Sequence, residues 1–193
     1  CECAVDRPGS VGIADDEALV IWVGRMDPVK DLGTLIESIG IVKKSRRFVA
    51  VLIGDGPERG RVEQQIARCR LEGTVRLVGW REDAPSWMRS ADALVLTSRT
   101  EGSPNVVLEA IAAGCPVVAS DLPSCRELIG DASLGRLCRV GDAEDFARGL
   151  AIVLTTGRRS LDWESRRRLM ERHDLGAIGR IWRGVFEMAK LHS

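Results

Sequence analysis

The chain has 193 residues, of which 45% are hydrophobic and 29% are charged, as expected for one domain with a sizeable core. Its 28 basic and 28 acidic residues balance, which gives no reason to expect binding to nucleic acid or to a membrane surface. No apolar run reaches the roughly 20 residues of a membrane span, and no signal peptide is seen, so a cytoplasmic location is predicted.

The cysteines form neither a C-x-x-C pair nor a cluster with histidine, so no metal site and no disulfide framework are expected. Buried, reduced thiols are predicted at Cys1, Cys3, Cys69, Cys115, Cys125 and Cys138. The chain starts at Cys1 rather than at methionine, which we interpret as a piece of a longer protein. Residues 1–16, rich in Gly, Pro and Asp, are interpreted as a linker or remnant before a domain over 17–193.

Apolar runs alternate with helical patterns along the chain. Strands are predicted over 18–24, 48–54, 74–80, 93–98, 115–120 and 134–140, and helices over 32–44, 58–71, 84–89, from Ser103 onward, over 124–129 and over 142–154. Continuous apolar strands indicate burial on both faces, and intervening helices indicate right-handed crossovers. The predicted fold is α/β, a doubly wound, Rossmann-like parallel sheet.

The end of the chain contains one charged pattern and one apolar pattern. The run 166–173 is predicted to be a solvated helix face, and His173 and His192 are poor candidates for catalysis. Apolar residues between Ile178 and Ala189 recur at the spacing of an amphipathic helix. That helix is expected to pack on this domain, with a neighbouring domain or self-association with a second copy as alternatives.

Ligands of an open parallel sheet bind outside the carboxyl ends of its strands. After the first predicted strand, Gly24 allows a sharp turn, Arg25 projects from the loop and Lys30 precedes the next helix. These two cations can hold a diphosphate, Arg through paired hydrogen bonds and Lys as a point charge. Two solvated surface charges are the alternative interpretation.

The next two strand ends carry weaker signals. GDGPERG, at 54–60, is similar to a dinucleotide fingerprint, but Arg59 replaces the third glycine, so a nicotinamide cofactor is not expected. A tight turn with Pro57 at the helix start is favoured there over direct ligand contact. GWRED, at 79–83, can pair its backbone with the edge of a base beside Trp80 or Arg81, and a plain surface loop is the alternative.

The stretch TEGSPNVVLEAIAAGCPVVAS, at 100–120, contains a predicted helix start. Ser103 is expected to be the N-cap, with Pro104 in the first turn where its missing N–H costs nothing. The free N–H groups of Asn105 and Val106, together with the helix dipole, predict an anion site.

The same stretch contains two carboxylates, Glu101 before the helix and Glu109 one and a half turns into it. Glu109 stands among apolar residues, and glutamate is almost never buried without a partner. We favour a ligand as that partner, because two ribose hydroxyls supply donors for a carboxylate. A nearby backbone group or arginine is the alternative.

With these motifs assembled, the chain resembles the carboxyl-terminal, donor-binding domain of a retaining GT-B glycosyltransferase of family 4 (group 1). The E-x7-E motif of that family is matched by Glu101 and Glu109, and its G-R-x-x-x-x-K element by Gly24, Arg25 and Lys30. The strand that follows in the family is matched by AAGCPVVAS, at 112–120.

The resemblance implies a role for each matched residue. Arg25 and Lys30 hold the diphosphate of a nucleotide sugar, Glu101 contacts the donor sugar, and Glu109 binds the ribose. Further implied donor-binding residues are Gly24 in the element of Arg25 and Lys30, and Leu108 packing near Glu109. The others are Gly79, Trp80 and Arg81 bordering the base, and Gly102, Ser103, Asn105 and Val106 near the sugar or phosphate. Neither a metal ion nor another cofactor is expected.

The implied function is retaining hexosyl transfer from a nucleotide-diphosphate sugar to an acceptor sugar or lipid-linked acceptor, in polysaccharide or glycolipid biosynthesis. The amino-terminal acceptor domain of the family is not seen in this sequence, so the chain alone is expected to transfer little or no sugar. The full-length protein is expected to be peripheral to the inner face of the membrane. A nucleotide-sugar epimerase of the same architecture and a non-catalytic nucleotide-binding module are the alternatives.

Overall fold

A computed structural model describes residues 17–130, 134–157 and 163–173. Within these ranges six parallel strands form one sheet in the order β3-β2-β1-β4-β5-β6. The strands are β1 (Ala18–Val23), β2 (Phe48–Ile53), β3 (Val75–Gly79), β4 (Ala93–Leu96), β5 (Val117–Ser120) and β6 (Gly135–Cys138). The order reverses between β1 and β4, the arrangement of a doubly wound sheet, and the predicted fold class is confirmed.

Helices follow the strands in the predicted alternation. They are α1 (Leu32–Val42), α2 (Arg59–Arg68), α3 (Ala84–Ser90), α4 (Asn105–Ala112), α5 (Pro123–Ile129), α6 (Ala143–Thr156) and α7 (Trp163–His173), and a 3₁₀ turn at Pro28–Lys30 precedes α1. No helix in these described ranges is long and apolar enough to cross a membrane.

Alternate residues of the four inner strands β1, β2, β4 and β5 face two separate cores, which explains why these strands are almost entirely apolar. Val20 and Trp22 of β1 pack with α1, α2 and α6, whereas Leu19 and Ile21 pack with the helices on the other side of the sheet. Burying each large apolar side chain stabilises the fold by about 1.5–3 kcal/mol.

Strand β4 ends two residues before its predicted limit. Thr97 Oγ1 donates to the carbonyl of Lys30 at 2.9 Å, and Ser98 Oγ donates to Glu101 Oε1 at 2.6 Å. Both side chains are fully buried. They leave the sheet ladder because their hydroxyl groups bind the loops at its carboxyl edge.

The solvated-face prediction for 166–173 is wrong for one side of α7. Leu169 is buried in the second core, and Arg166 Nη2 donates to the carbonyl of Ala112 at 2.6 Å. An arginine on the last carbonyls of α4 is favourable because it complements the helix dipole. The amphipathic pattern over 178–189 and the interpreted linker over 1–16 lie outside the described residues.

The thiol prediction holds for three of the four cysteines within the described ranges. Cys115, Cys125 and Cys138 are buried and form no disulfide within the described residues, whereas Cys69 is exposed at the end of α2, so the prediction of burial is wrong there. Burial raises the pKa of the Cys125 thiol to about 11 and that of Cys138 to about 12, which keeps both protonated at neutral pH.

Candidate functional site

A cavity of about 470 Å³ opens at the carboxyl ends of β1, β2 and β3 and reaches α4. Its walls are formed by Val23, Gly24, Arg25, Ile53, Gly54, Asp55, Trp80, Arg81, Glu82, Ala84, Pro85 and Glu109. The cavity lies beside the point where the strand order reverses, which is the position where open α/β sheets bind ligands.

Close contact between neighbouring strand ends forms the base of the cavity. Gly24 N–H donates to the carbonyl of Ile53 at 3.0 Å, and Gly54 N–H donates to the carbonyl of Gly79 at 2.7 Å. A Cβ atom on Gly54 would lie 1.8 Å from the carbonyl oxygen of Gly24, and its φ is +136°. Glycine is therefore required at position 54, for both space and backbone conformation.

Glu109 lies partly buried on α4 and lines the cavity. Burial raises the pKa of its carboxyl group, because desolvation disfavours the charged form. No described residue donates a hydrogen bond to this carboxylate or forms an ion pair with it. The group is available for donors that a ligand brings.

The two cations predicted to hold a diphosphate have different surroundings. Arg25 lines the cavity, its side chain is 73% exposed, and its Nε pairs with Asp27 at 3.1 Å. Lys30 is not among the lining residues, and its Nζ lies 2.6 Å from Glu101 Oε1. The Lys30 and Glu101 side chains are only 22% and 11% exposed. Water and salt therefore screen this ion pair much less than the contact between Arg25 and Asp27.

The loops that carry Lys30 and Glu101 are held to each other. Arg99 N–H donates to the carbonyl of Val29 at 2.8 Å, and Arg99 Nη2 pairs with Asp31 at 2.9 Å. Asp31 has a left-handed backbone conformation, with φ 46° and ψ 52°, and accepts from Thr34 at the start of α1. These contacts hold the loop of Lys30 and the loop of Glu101 in place relative to each other.

The start of α4 differs from the prediction by one residue. Pro104 occupies the N-cap position, and Ser103 Oγ contacts Asn105 Oδ1 at 3.0 Å instead of capping the helix. The N–H of Asn105 is also used, since it donates to the carbonyl of Ser103 at 2.9 Å. Of the two N–H groups predicted to be free, only that of Val106 has no acceptor within the described part of the chain.

The remaining predicted donor-binding residues are divided between the cavity and its surroundings. Trp80 and Arg81 line the cavity, and Trp80 is 60% exposed. Gly79 ends β3 with φ +72°. The cavity wall does not include Gly102, Ser103, Asn105 or Val106. Leu108 of α4 is buried in the core. The described residues contain no group of three or more His, Cys, Asp or Glu that can hold a metal ion.

Seven lining residues were not assigned to the site from the sequence: Val23, Ile53, Gly54, Asp55, Glu82, Ala84 and Pro85. The stretch 54–60 was interpreted as a turn, yet the structure places Gly54 and Asp55 in the cavity wall. Their position directly after β2 was the available signal, because neighbouring parallel strands end at the same edge.

The family model described as glycosyl transferases group 1 matches residues 6–173. The chain belongs to this family. It is 31% identical over 188 residues to the lipopolysaccharide core biosynthesis glycosyltransferase LpsE of Rhizobium meliloti (strain 1021). The match covers 97% of this chain and 52% of LpsE, so this glycosyltransferase-family chain spans about half the length of that relative.

Solved structures show the same fold. A mutant of TarM from S. aureus, in a complex with fondaparinux, alpha-GlcNAc-glycerol and UDP, is 25% identical with a TM-score of 0.77. That match covers 88% of this chain and 35% of TarM. The C-terminal domain of the group 1 family protein LpcC from Francisella tularensis is 24% identical with a TM-score of 0.71, covering 83% of this chain and 87% of that one. The fold is that of one Rossmann-like half of a GT-B glycosyltransferase.

Proposed function

We propose that this chain is the donor-binding half of a retaining glycosyltransferase of family 4 and that its cavity holds a nucleoside-diphosphate sugar. The observation that carries the proposal is the Glu109 carboxylate, which lines the cavity and has no partner among the described residues. A partly desolvated carboxylate gains much from hydrogen bonds, because it has already lost water. The two hydroxyl groups of a ribose supply donors for this carboxylate.

The diphosphate binds beside Gly24, where Arg25 lines the cavity. Arg25 donates paired hydrogen bonds to the phosphate oxygens, a geometry that suits guanidinium groups. Lys30 contributes without leaving Glu101, because an ammonium group has three donors and only one is needed for that contact.

The sugar lies toward the loop that precedes α4, where Glu101 and the backbone from Gly102 to Val106 contact its hydroxyl groups. Cleavage of the bond between sugar and phosphate places negative charge on the departing diphosphate. Arg25 and Lys30 stabilise this charge electrostatically, so no metal ion is required. The acceptor hydroxyl attacks the anomeric carbon at the face from which the diphosphate leaves and forms the new glycosidic bond. Its proton passes to the departing phosphate oxygen, and no enzyme nucleophile takes part.

The acceptor is a sugar or a lipid-linked sugar of a polysaccharide or glycolipid pathway on the cytoplasmic side of the membrane. The relative named as a lipopolysaccharide core glycosyltransferase supports this class of acceptor. Since this chain spans 52% of that relative, we propose that acceptor contacts come from protein beyond the matched half. Transfer then depends on both parts, because a glycosyl acceptor must be positioned against the donor.

Calorimetric titration of the chain with UDP, GDP, ADP and NAD tests the proposal. One nucleoside diphosphate is expected to bind, and NAD is not. Glu109→Ala and Arg25→Ala are each expected to weaken binding by about tenfold or more, since hydrogen bonds to charged groups contribute about 1.5–3 kcal/mol. Glu127→Ala, an exposed carboxylate on α5, is the matched control and leaves affinity unchanged. Preferred binding of NAD, or no binding of any nucleotide, contradicts the proposal.

A further inference from the structure

Two consecutive hydroxyl side chains, Thr97 and Ser98, are fully buried where the chain leaves β4. A buried hydroxyl costs free energy unless it is hydrogen-bonded, and an apolar side chain of similar size fills the same space without that requirement. Thr97 Oγ1 donates to the carbonyl of Lys30 at 2.9 Å, and Ser98 Oγ donates to Glu101 Oε1 at 2.6 Å. Both hydroxyl groups therefore serve a contact with a neighbouring loop rather than packing alone.

Both hydrogen bonds act on Lys30, at opposite ends of the residue. Thr97 holds its backbone carbonyl, and the preceding carbonyl, of Val29, accepts from the N–H of Arg99 at 2.8 Å. At the other end, Lys30 Nζ lies 2.6 Å from Glu101 Oε1, the same oxygen atom that accepts from Ser98. The backbone of Lys30 is thus held directly, and its ammonium group is held through the carboxylate.

The carboxylate that anchors Lys30 is itself held from two sides. Ser98 donates to its Oε1, and Ser124 Oγ on α5 donates to the backbone carbonyl of Glu101 at 2.8 Å. Only 11% of the Glu101 side chain is exposed. Because the anchor cannot move freely, the lysine that binds it cannot either.

Fixing a lysine in this way affects how tightly it binds a ligand. A lysine side chain is long and flexible, and it loses much conformational entropy when a ligand orders it. Here the folded chain orders the Lys30 side chain, since Nζ is anchored and only 22% of the side chain is exposed. Such preorganisation increases affinity, because the ordering cost no longer accompanies binding.

We propose that Thr97 and Ser98 are positioning residues that fix Lys30 at its two ends and thereby increase the affinity of the chain for the diphosphate of its donor. Neither residue lines the cavity, so both act through Lys30. This proposal rests on the proposed function, because it requires a diphosphate that contacts Lys30.

Calorimetric titration of the chain with UDP, GDP and ADP tests the proposal through single variants. Thr97→Val and Ser98→Ala each remove a hydroxyl group and keep most of the packing. Each is expected to weaken binding of the nucleoside diphosphate about two- to tenfold, the range that corresponds to the net contribution of one hydrogen bond. Thr97→Ser keeps the hydroxyl group and is expected to bind more tightly than Thr97→Val.

Double variants establish whether the two hydroxyl groups act through the lysine. Lys30→Met is expected to weaken binding by more than either hydroxyl variant does. In the Lys30→Met background, Thr97→Val and Ser98→Ala are expected to cause no further loss, because the group that they position is no longer present. A purely structural role predicts the same loss in both backgrounds.

Ser120 supplies the matched control. It is fully buried at the end of the neighbouring strand β5, and its Oγ donates to the carbonyl of Leu96 at 3.4 Å instead of acting on Lys30 or Glu101. Ser120→Ala therefore also removes a buried hydroxyl group and is expected to bind nucleotide as the unaltered chain does. Thermal unfolding followed by circular dichroism establishes that each variant is folded at the temperature of the titration.

The outcomes separate this proposal from the proposed function. Binding that Glu109→Ala and Lys30→Met weaken, while Thr97→Val and Ser98→Ala do not, overturns the positioning role and leaves the donor site standing. Undiminished losses in the Lys30→Met background, or a comparable loss in Ser120→Ala, also overturn it. Thr97→Ser as weak as Thr97→Val contradicts the role of the hydroxyl group. Absence of UDP, GDP and ADP binding to the unaltered chain overturns both proposals.

Discussion

Replacing Gly54 by alanine tests whether the close contact between β1 and β2 holds the cavity together. The new Cβ atom would lie 1.8 Å from the carbonyl oxygen of Gly24, although real Cβ atoms are essentially never closer than 3.0 Å to such an atom. One of the two loops must therefore move by about 1.2 Å, the difference between these distances. The obstructing atoms belong to the backbone of Gly24, so no side-chain rotation can relieve the contact.

The energetic cost has two parts. Alanine at a φ of +136° is strained by about 1–3 kcal/mol. Displacement also weakens the hydrogen bonds from Gly24 to Ile53 and from Gly54 to Gly79, each worth about 1 kcal/mol. The free energy of unfolding is therefore expected to fall by about 3–5 kcal/mol. This is a large share of the total, which is about 5–15 kcal/mol in a typical protein. Nucleotide binding should fall as well, because both glycines line the cavity.

Urea denaturation followed by circular dichroism measures the free energy of unfolding. Gly60→Ala is the matched control, since Gly60 lies in α2 and a Cβ atom there meets nothing within 4 Å. Alanine in that helix is expected to leave stability unchanged or to raise it by up to about 1 kcal/mol. A Gly54→Ala variant within about 1 kcal/mol of the unaltered protein refutes the reasoning.

Three further predictions use the same denaturation assay. Glu109→Gln is expected to raise stability at neutral pH. The pKa of Glu109 is raised in the folded state, so its ionised carboxylate destabilises the fold above that pKa. The gain disappears in acid, where the carboxyl group is protonated in both the folded and the unfolded state. Lys30→Met and Glu101→Gln are each expected to cost about 1–3 kcal/mol, and their double variant less than the sum, since each single change leaves a partly buried charge unpaired. Leu169→Ala is expected to cost about 2–4 kcal/mol, whereas Ile152→Ala, with 40% of its surface exposed, changes stability by less than about 1 kcal/mol.

The order of elements could be predicted from the sequence because nearly every residue of the inner strands β1, β2, β4 and β5 is buried. In β2 all six residues are buried, so the run is continuously apolar and cannot be confused with a one-sided strand. The bounds were less predictable, since strand ends depend on partners far along the chain. Thr97 leaves the sheet because its hydroxyl binds the carbonyl of Lys30, a contact between residues 67 positions apart.

A site residue could be predicted from the sequence where its chemical type differs from that of its neighbours in the chain. Glu109 stood out because a carboxylate among apolar residues requires a partner, and the structure places it in the cavity wall. Gly54 and Asp55 carried no such conflict, and only the packing of β2 against β1 brings them to the cavity. Local propensity predicts Ser103 as the N-cap, but propensity cannot report that Pro104 fills that position in the folded chain.

Each of the three cations Arg25, Lys30 and Arg81 has a carboxylate partner within the described residues. Arg25 pairs with Asp27, Lys30 pairs with Glu101, and Arg81 pairs with Asp83. The cavity therefore has little excess positive charge before a ligand arrives, and a diphosphate must compete with resident carboxylates. How it competes depends on the exposure of each pair, because water and salt weaken an exposed contact much more than a buried one.

This difference assigns the two phosphate-binding cations different tasks in the proposed complex. The contact between Arg25 and Asp27 is worth about 0–1 kcal/mol, since the arginine side chain is 73% exposed, so Arg25 can turn to the diphosphate at small cost. Breaking the contact between Lys30 and Glu101 leaves two poorly hydrated charges, which costs more. Lys30 therefore stays on Glu101 and donates its remaining N–H groups to phosphate. Under the proposed function, a diphosphate bound in this way holds Glu101 against the donor sugar, so we expect binding of the leaving group also to organise the proposed sugar-binding carboxylate.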